Sequence, residues 1–123
     1  MAYRRRWQEG RQEYPFRLSR PRKPDNAFLM ALRKEAKGRG CMIRLPGICN
    51  FNSETVVLAH FRLVGVSGTG LKSHDLIGSW ACSACHDAVD RRTHLELDRD
   101  YVRLAHLEGM VRTLSQLAKE GLI

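Results

Sequence analysis

The sequence predicts a small α+β domain, and three observations carry that expectation: apolar residues at helical spacing near both ends of the chain, a β-branched stretch between them, and four cysteines grouped in two pairs. At 123 residues the polypeptide is about one domain's worth of chain, which excludes an ATPase or a doubly wound enzyme. Apolar residues make up 43% and charged residues 28%, a composition able to bury one modest core.

The charge is uneven. Residues 1–44 hold 13 basic and 4 acidic side chains, whereas residues 45–123 hold 8 and 9. Residues 1–24 carry Arg4, Arg5, Arg6, Arg11, Arg17, Arg20, Arg22 and Lys23 with Pro15, Pro21 and Pro24 and no apolar period, so they read as a basic arm ahead of a domain at 25–123. Such an arm suits a polyanion, with Trp7, Tyr14 and Phe16 placed to stack on bases or to pack on the domain; a solvated tail is the plainer alternative. No apolar run approaches the roughly 18 residues of a membrane helix, and the first residues lack a secretory signal's apolar core, so the chain is read as cytosolic.

Asp25 has the chemistry of an N-cap for a helix over 26–37, with Phe28, Leu29 and Leu32 on its buried face and Gly38 as its stop. Cys41 and Cys49 flank a Pro46-Gly47 turn signal. Residues 55–60 have the β-branched content of a strand that ends on His60. The glycine-rich run 64–73 nearly spells a P-loop, but Leu71 stands where the lysine must and Lys72 comes one residue late, so it reads as a loop beside a site. Cys82 and Cys85 open a knuckle that runs into a helix. Farther on, Tyr101, Leu104, Leu107, Met110, Val111, Leu114, Leu117 and Ala118 recur at three- and four-residue steps up to Gly121, the pattern of a packing helix in which His106 is a surface or hydrogen-bonded residue.

In a reducing compartment four cysteines suit a metal better than two disulfides. Cys82 and Cys85 have orthodox Cys-x-x-Cys spacing and Cys41 and Cys49 a longer loop, so the four can supply a closed tetrahedral zinc site that adds folding free energy to a small domain; free or redox-active pairs are the alternative. The string from Cys82 to His86 also fits c-type haem attachment, which would leave Cys41 and Cys49 unexplained. His86 and Asp90 stand four apart on the expected helix, one face of which could hold a hard cation or an activated water, with His94 a turn beyond. His60, if brought to that helix, could take a proton from water while a cation offsets charge growing on a phosphodiester.

Over residues 32–122 the chain resembles the HNH, or ββα-metal, endonuclease superfamily, and more closely the small prophage nuclease family of the YbcO/Ref type. The matching residues are Leu32-Arg33-Lys34, the run from Cys41 to Asn50, Leu58-Ala59-His60, Gly68-Thr69-Gly70, the run from Ala81 to Asp87, and the run from Asp90 to His94. The resemblance implies a hairpin, a loop and a helix around one catalytic metal, pinned by zinc between the two cysteine pairs. By position it implies His60 as general base, His86 as the final metal-binding histidine and Asp90 as a further ligand. Asp75 stands near the place of the base-orienting asparagine, displaced by about two residues. Ala59 occupies a position where many members have a metal ligand, for which His74, Asp75 or His94 would have to substitute.

These readings converge on a zinc-stabilised α+β domain of HNH type with flanking helices, a basic arm, and hydrolysis of DNA phosphodiesters with Mg²⁺ or Mn²⁺ in a bacterial host's cytoplasm. Arg4, Arg5, Arg6, Arg62, Arg91 and Arg92 are its candidate DNA-binding residues, and a recruiting protein partner is left open. The alternative is a zinc-stabilised DNA-binding module that does not cut; a third reading is an interaction domain whose charge serves a protein.

Overall fold

The computed structural model describes residues 26–67 and 74–123. Arg4, Arg5 and Arg6, the division at residue 24, the Asp25 cap and most of the glycine-rich run lie outside the described residues, as do the side chains of Phe28 and Leu29. In chain order the elements are α1 (Asn26–Glu35), a 3₁₀ turn (Ser53–Thr55), β1 (Val57–His60), β2 (Gly78–Ala81), α2 (Ser83–Val89) and α3 (Arg99–Lys119). The result is a mixed domain with one two-stranded antiparallel sheet.

α1 frays through bonds from Ala36 N to Arg33 O and Lys37 N to Lys34 O. It stops at Gly38, whose φ of +79° is the left-handed conformation that only glycine adopts cheaply. Leu32 and Ala36 face the core. The chain then turns at Pro46-Gly47, where Ile48 N and Cys49 N both bond Leu45 O, folding Cys49 back toward Cys41 over the buried Ile43 and Leu45.

Asn52 caps the 3₁₀ turn by accepting from Glu54 N, so Thr55 belongs to that turn and the strand expected from residue 55 begins at Val57. β1 and β2 pair in the register Val57 to Ala81, Leu58 to Trp80, Ala59 to Ser79 and His60 to Gly78. Gly78 has no room for a side chain: a Cβ there would stand 2.8 Å from Ala59 O. The other edge of β2 is satisfied by different partners, with Trp80 N donating to Thr113 Oγ1 at 3.0 Å and Met42 N donating to Trp80 O at 2.8 Å. No backbone group of Trp80 is therefore left unpaired in the core, and the Cys41–Leu45 segment and α3 both pack on β2 and touch each other at Ile43 and Gly109.

α3 corrects the apolar stripe expected from the sequence. Its buried residues are Val102, His106, Gly109, Thr113 and Leu117, while Tyr101, Leu104, Leu107 and Val111 are exposed. The reason is steric. α3 approaches so closely that a Cβ on Gly109 would meet Ile43 Cγ1 at 2.9 Å, and such an approach requires small residues rather than the most apolar ones. Only Leu117 of the expected stripe is fully buried. Arg39 locks the far end, donating to Glu35 and Glu120 and lying 4.7 Å over the ring of the buried Trp80.

Candidate functional site

The turn at 46–48 and the start of α2 bring the cysteines together. Cys82 is the N-cap of α2, its Sγ accepting from Cys85 N, so both sulfurs of this pair point inward. The four sulfurs of Cys41, Cys49, Cys82 and Cys85 lie within 4.8 Å of one another, three of the residues being buried and Cys49 half-buried. Sulfurs bound at about 2.3 Å around a tetrahedral ion stand about 3.8 Å apart, and the Cys49–Cys82 separation is 3.8 Å. All four are free thiols. A hydrogen bond from Cys85 pulls the Cys41 thiol down to about 4, burial pushes Cys49 up to about 11, and its bond to Cys41 raises Cys85 further. Four thiolates cannot coexist there without a cation to offset them, and the cluster could hold a metal such as zinc.

The second feature centres on His60 at the end of β1. Its Nε2 lies 2.6 Å from Asp75 Oδ1, and Arg33 Nε of α1 donates to Asp75 Oδ2 at 2.9 Å. The Asp75 side chain is 3% exposed while that of His60 is 25% exposed, so the buried carboxylate is held from both sides and the ring it orients is reachable by solvent. A carboxylate oxygen accepts, so Nε2 is the donor in this contact, which in a neutral imidazole leaves the lone pair on Nδ1. Residues 60 and 75 meet because Phe61 N donates to Ile77 O, extending the hairpin pairing one step past Gly78. The sequence offered no sign of Arg33 in this role.

The third feature is the pair on α2. His86 Nε2 lies 3.2 Å from Asp90 Oδ2, and the hydrogen bond from His86 holds the Asp90 carboxyl below its usual range. Two donors about 2.1 Å from an octahedral ion stand about 3.0 Å apart, so the pair fits neighbouring coordination positions. Among the described residues no third His, Cys, Asp or Glu joins them. The two histidines named as substitutes for the ligand lacking at Ala59 are engaged locally: His74 Nδ1 accepts from Leu76 N, and His94 pairs with Glu96. His94 also does not follow Asp90 on the helix as expected, because α2 ends at Val89 and both Arg91 and His94 have positive φ.

A cleft of about 250 Å³ opens beside His60, lined also by Arg62, Asp90, Arg91, Arg99, Arg103 and His106. Asp75 is not among the residues that line it. His106 is buried; its Nε2 donates to Ala59 O at 3.0 Å and its ring meets Phe61 edge-on, and burial lowers its pKa below the usual imidazole value. It is the hydrogen-bonded histidine that the sequence suggested. Of the expected DNA-binding arginines, Arg62 and Arg91 line this cleft, while Arg92 reaches two carboxylates, Asp87 and Asp90, each at 3.3 Å.

Known proteins resemble this chain closely. The family described as "Putative nuclease YbcO" matches residues 30–122. The chain is 58% identical over 92 residues to "Putative nuclease YbcO" of Escherichia coli strain K12, and equally so to "Putative nuclease ybcO" of Enterobacteria phage 82; the matches span 75% of this chain and 95% of each relative. A solved structure of "a putative bacteriophage protein from Escherichia coli str. K-12 substr. MG1655" is 50% identical with a TM-score of 0.61, covering 74% of this chain and all of that one. Among the described residues no helix is long and apolar enough to cross a membrane.

Proposed function

The chain belongs to the family described as "Putative nuclease YbcO", and from that premise we propose that it is a metal-dependent endonuclease of the HNH, or ββα-metal, type, hydrolysing DNA phosphodiesters in a phage or prophage setting. The observation that carries this reading is the Arg33–Asp75–His60 chain, which ends in a solvent-reachable imidazole at an arginine-lined cleft. The order of β1, β2 and α2, with His60 closing the first strand and His86 on the helix, supports the superfamily assignment.

His60 is the general base. Asp75 accepts a hydrogen bond from Nε2 and holds the ring, so Nδ1 takes a proton from a water whose oxygen bonds to phosphorus as the bridging P–O bond breaks, and the departing oxygen takes a proton from solvent. Arg33 holds Asp75 in its orientation. His86 and Asp90 hold the working cation, Mg²⁺ or Mn²⁺, which when bound supplies a Lewis acid against the charge growing on the phosphate. The four cysteines hold a structural zinc that fixes the start of α2 against the 41–49 loop. Arg62 and Arg91 face the phosphates, and the basic segment 1–24, with Arg4, Arg5 and Arg6, adds sequence-independent attraction. Arg92 serves Asp90 rather than DNA.

One observation favours the second reading, a zinc-stabilised module that binds DNA without cutting it: Ala59, beside His60, is fully buried and offers no ligand. Replacing His60 by alanine separates the two. A nuclease loses cleavage of a labelled oligonucleotide and keeps its affinity; a binding module has the same affinity and no cleavage in either form.

A further inference from the structure

The cleft beside His60 holds more positive charge than the proposed chemistry uses. Four arginines line it from three segments: Arg62 just after β1, Arg91 just after α2, and Arg99 and Arg103 on the first turns of α3. Among the described residues Asp90 is the one carboxylate that lines it, and it already meets His86 and Arg92. Like charges converging on a concave surface repel one another and focus a positive potential there until an anion enters.

The individual arginines are held ready for one. Among the described residues Arg62 and Arg99 have no side-chain hydrogen bond or ion pair. Arg91 Nη2 donates to Leu95 O and Leu97 O, which fixes its guanidinium, while Nη1 is buried with no partner. A buried donor left unpaired is unfavourable. Arg103 lies over the Phe61 ring, its Cζ 4.8 Å from the centroid, and its Nη1 donates to Arg62 O at 3.5 Å, so its guanidinium is held before any ligand arrives. Planar guanidinium groups held in this way match the oxygens of a phosphate.

We propose that Arg62, Arg91, Arg99 and Arg103 form a receptor for nucleic-acid backbone phosphates that seats the strand against His60, with Arg99 and Arg103 of α3 as positioning residues for the substrate. The inference rests on the nuclease reading for the identity of the anion. It assigns α3 a part in binding that neither its apolar pattern nor its place after the cysteine knuckle suggests.

The test is the salt dependence of binding, measured by fluorescence anisotropy on a labelled DNA duplex with zinc-loaded full-length protein and no added Mg²⁺ or Mn²⁺. Each lost phosphate contact flattens the slope of log affinity against log salt by about 0.9. Arg99→Gln with Arg103→Gln therefore flattens it by about 1.8, Arg99→Gln alone by about half as much, and Lys119→Gln, at the far end of α3, leaves it in place. The single Arg99 variant guards against a double variant that unsettles Phe61. In cleavage assays the Arg99 variant raises KM and leaves kcat near the wild-type value. A wild-type protein that binds DNA with a slope unchanged in both Arg99 variants overturns the receptor alone, as does an equal loss in Lys119→Gln. A wild-type protein that binds no DNA overturns the nuclease reading and the receptor with it.

Discussion

Replacing Thr113 by valine tests how α3 is fastened to the sheet. Thr113 Oγ1 accepts from Trp80 N at 3.0 Å and donates to Gly109 O at 2.9 Å, and both Thr113 and Trp80 are 1% exposed. Valine keeps the branched shape, so little cavity opens, but it removes the acceptor and leaves the Trp80 N–H dry. An unsatisfied buried donor costs about 1–3 kcal/mol, which for a domain of this size lowers the melting temperature by about 4 °C or more. Thr113→Ser retains the oxygen and loses one methyl, about 0.8 kcal/mol. Urea and thermal unfolding at fixed zinc and reductant measure both, and hydrogen exchange at the Trp80 amide reports the bond itself. A valine variant within 0.5 kcal/mol of wild type by urea unfolding, or no faster exchange at Trp80, would refute the argument. The same contact bears on function, because α3 carries His106, Arg99 and Arg103 to the cleft.

Metal analysis should find one zinc per chain; its removal by a chelator should abolish cooperative unfolding and expose four thiols to a thiol reagent, whereas four reactive thiols in an undisturbed fold would contradict the site. Asp75→Asn removes the carboxylate that orients His60, and losing a charge-assisted hydrogen bond of about 1.5–3 kcal/mol lowers kcat about 10- to 150-fold with DNA affinity unchanged, as single-turnover cleavage and anisotropy would report. His106 is buried with its pKa lowered by desolvation, so below about pH 6.5 the unfolded chain binds a proton that the folded one refuses, and stability falls as the pH falls through that value. His106→Gln, which keeps a donor for Ala59 O, should flatten this part of the pH–stability curve in urea unfolding at pH 7.5 and 5.5; an unchanged slope would mean that His106 takes up a proton as easily folded as unfolded.

Much of this architecture was legible in the residues. Gly38 ends α1 in the left-handed conformation its position suggested, the two cysteine pairs converge, and His60 closes a strand. Membership of the YbcO-type nuclease family was readable from the ordered motifs. What escaped was tertiary in origin. β2 is fully buried on both faces and reads Gly-Ser-Trp-Ala, which has neither alternation nor β-branched residues; its partners, not its composition, make it a strand. Hydrophobicity predicts Tyr101, Leu104 and Leu107 on the inner face of α3, yet close packing selects Gly109, Thr113 and His106 there. Arg33 and Asp75 are separated by 42 residues, and nothing local marks them as partners. Positive φ at Arg91 and His94 broke the helix that would have carried His94 to the site.

In the proposed mechanism His60 activates water at a cation-dependent site. The most direct test of that role is cleavage of supercoiled plasmid by zinc-loaded wild-type and His60→Ala proteins with Mg²⁺, Mn²⁺ or neither. Cation-dependent nicking by wild type, reduced about 10²–10⁴-fold in the variant as expected for loss of a general base, is the predicted result. Equal nicking by both proteins, or none by a wild type that binds the plasmid, would contradict it.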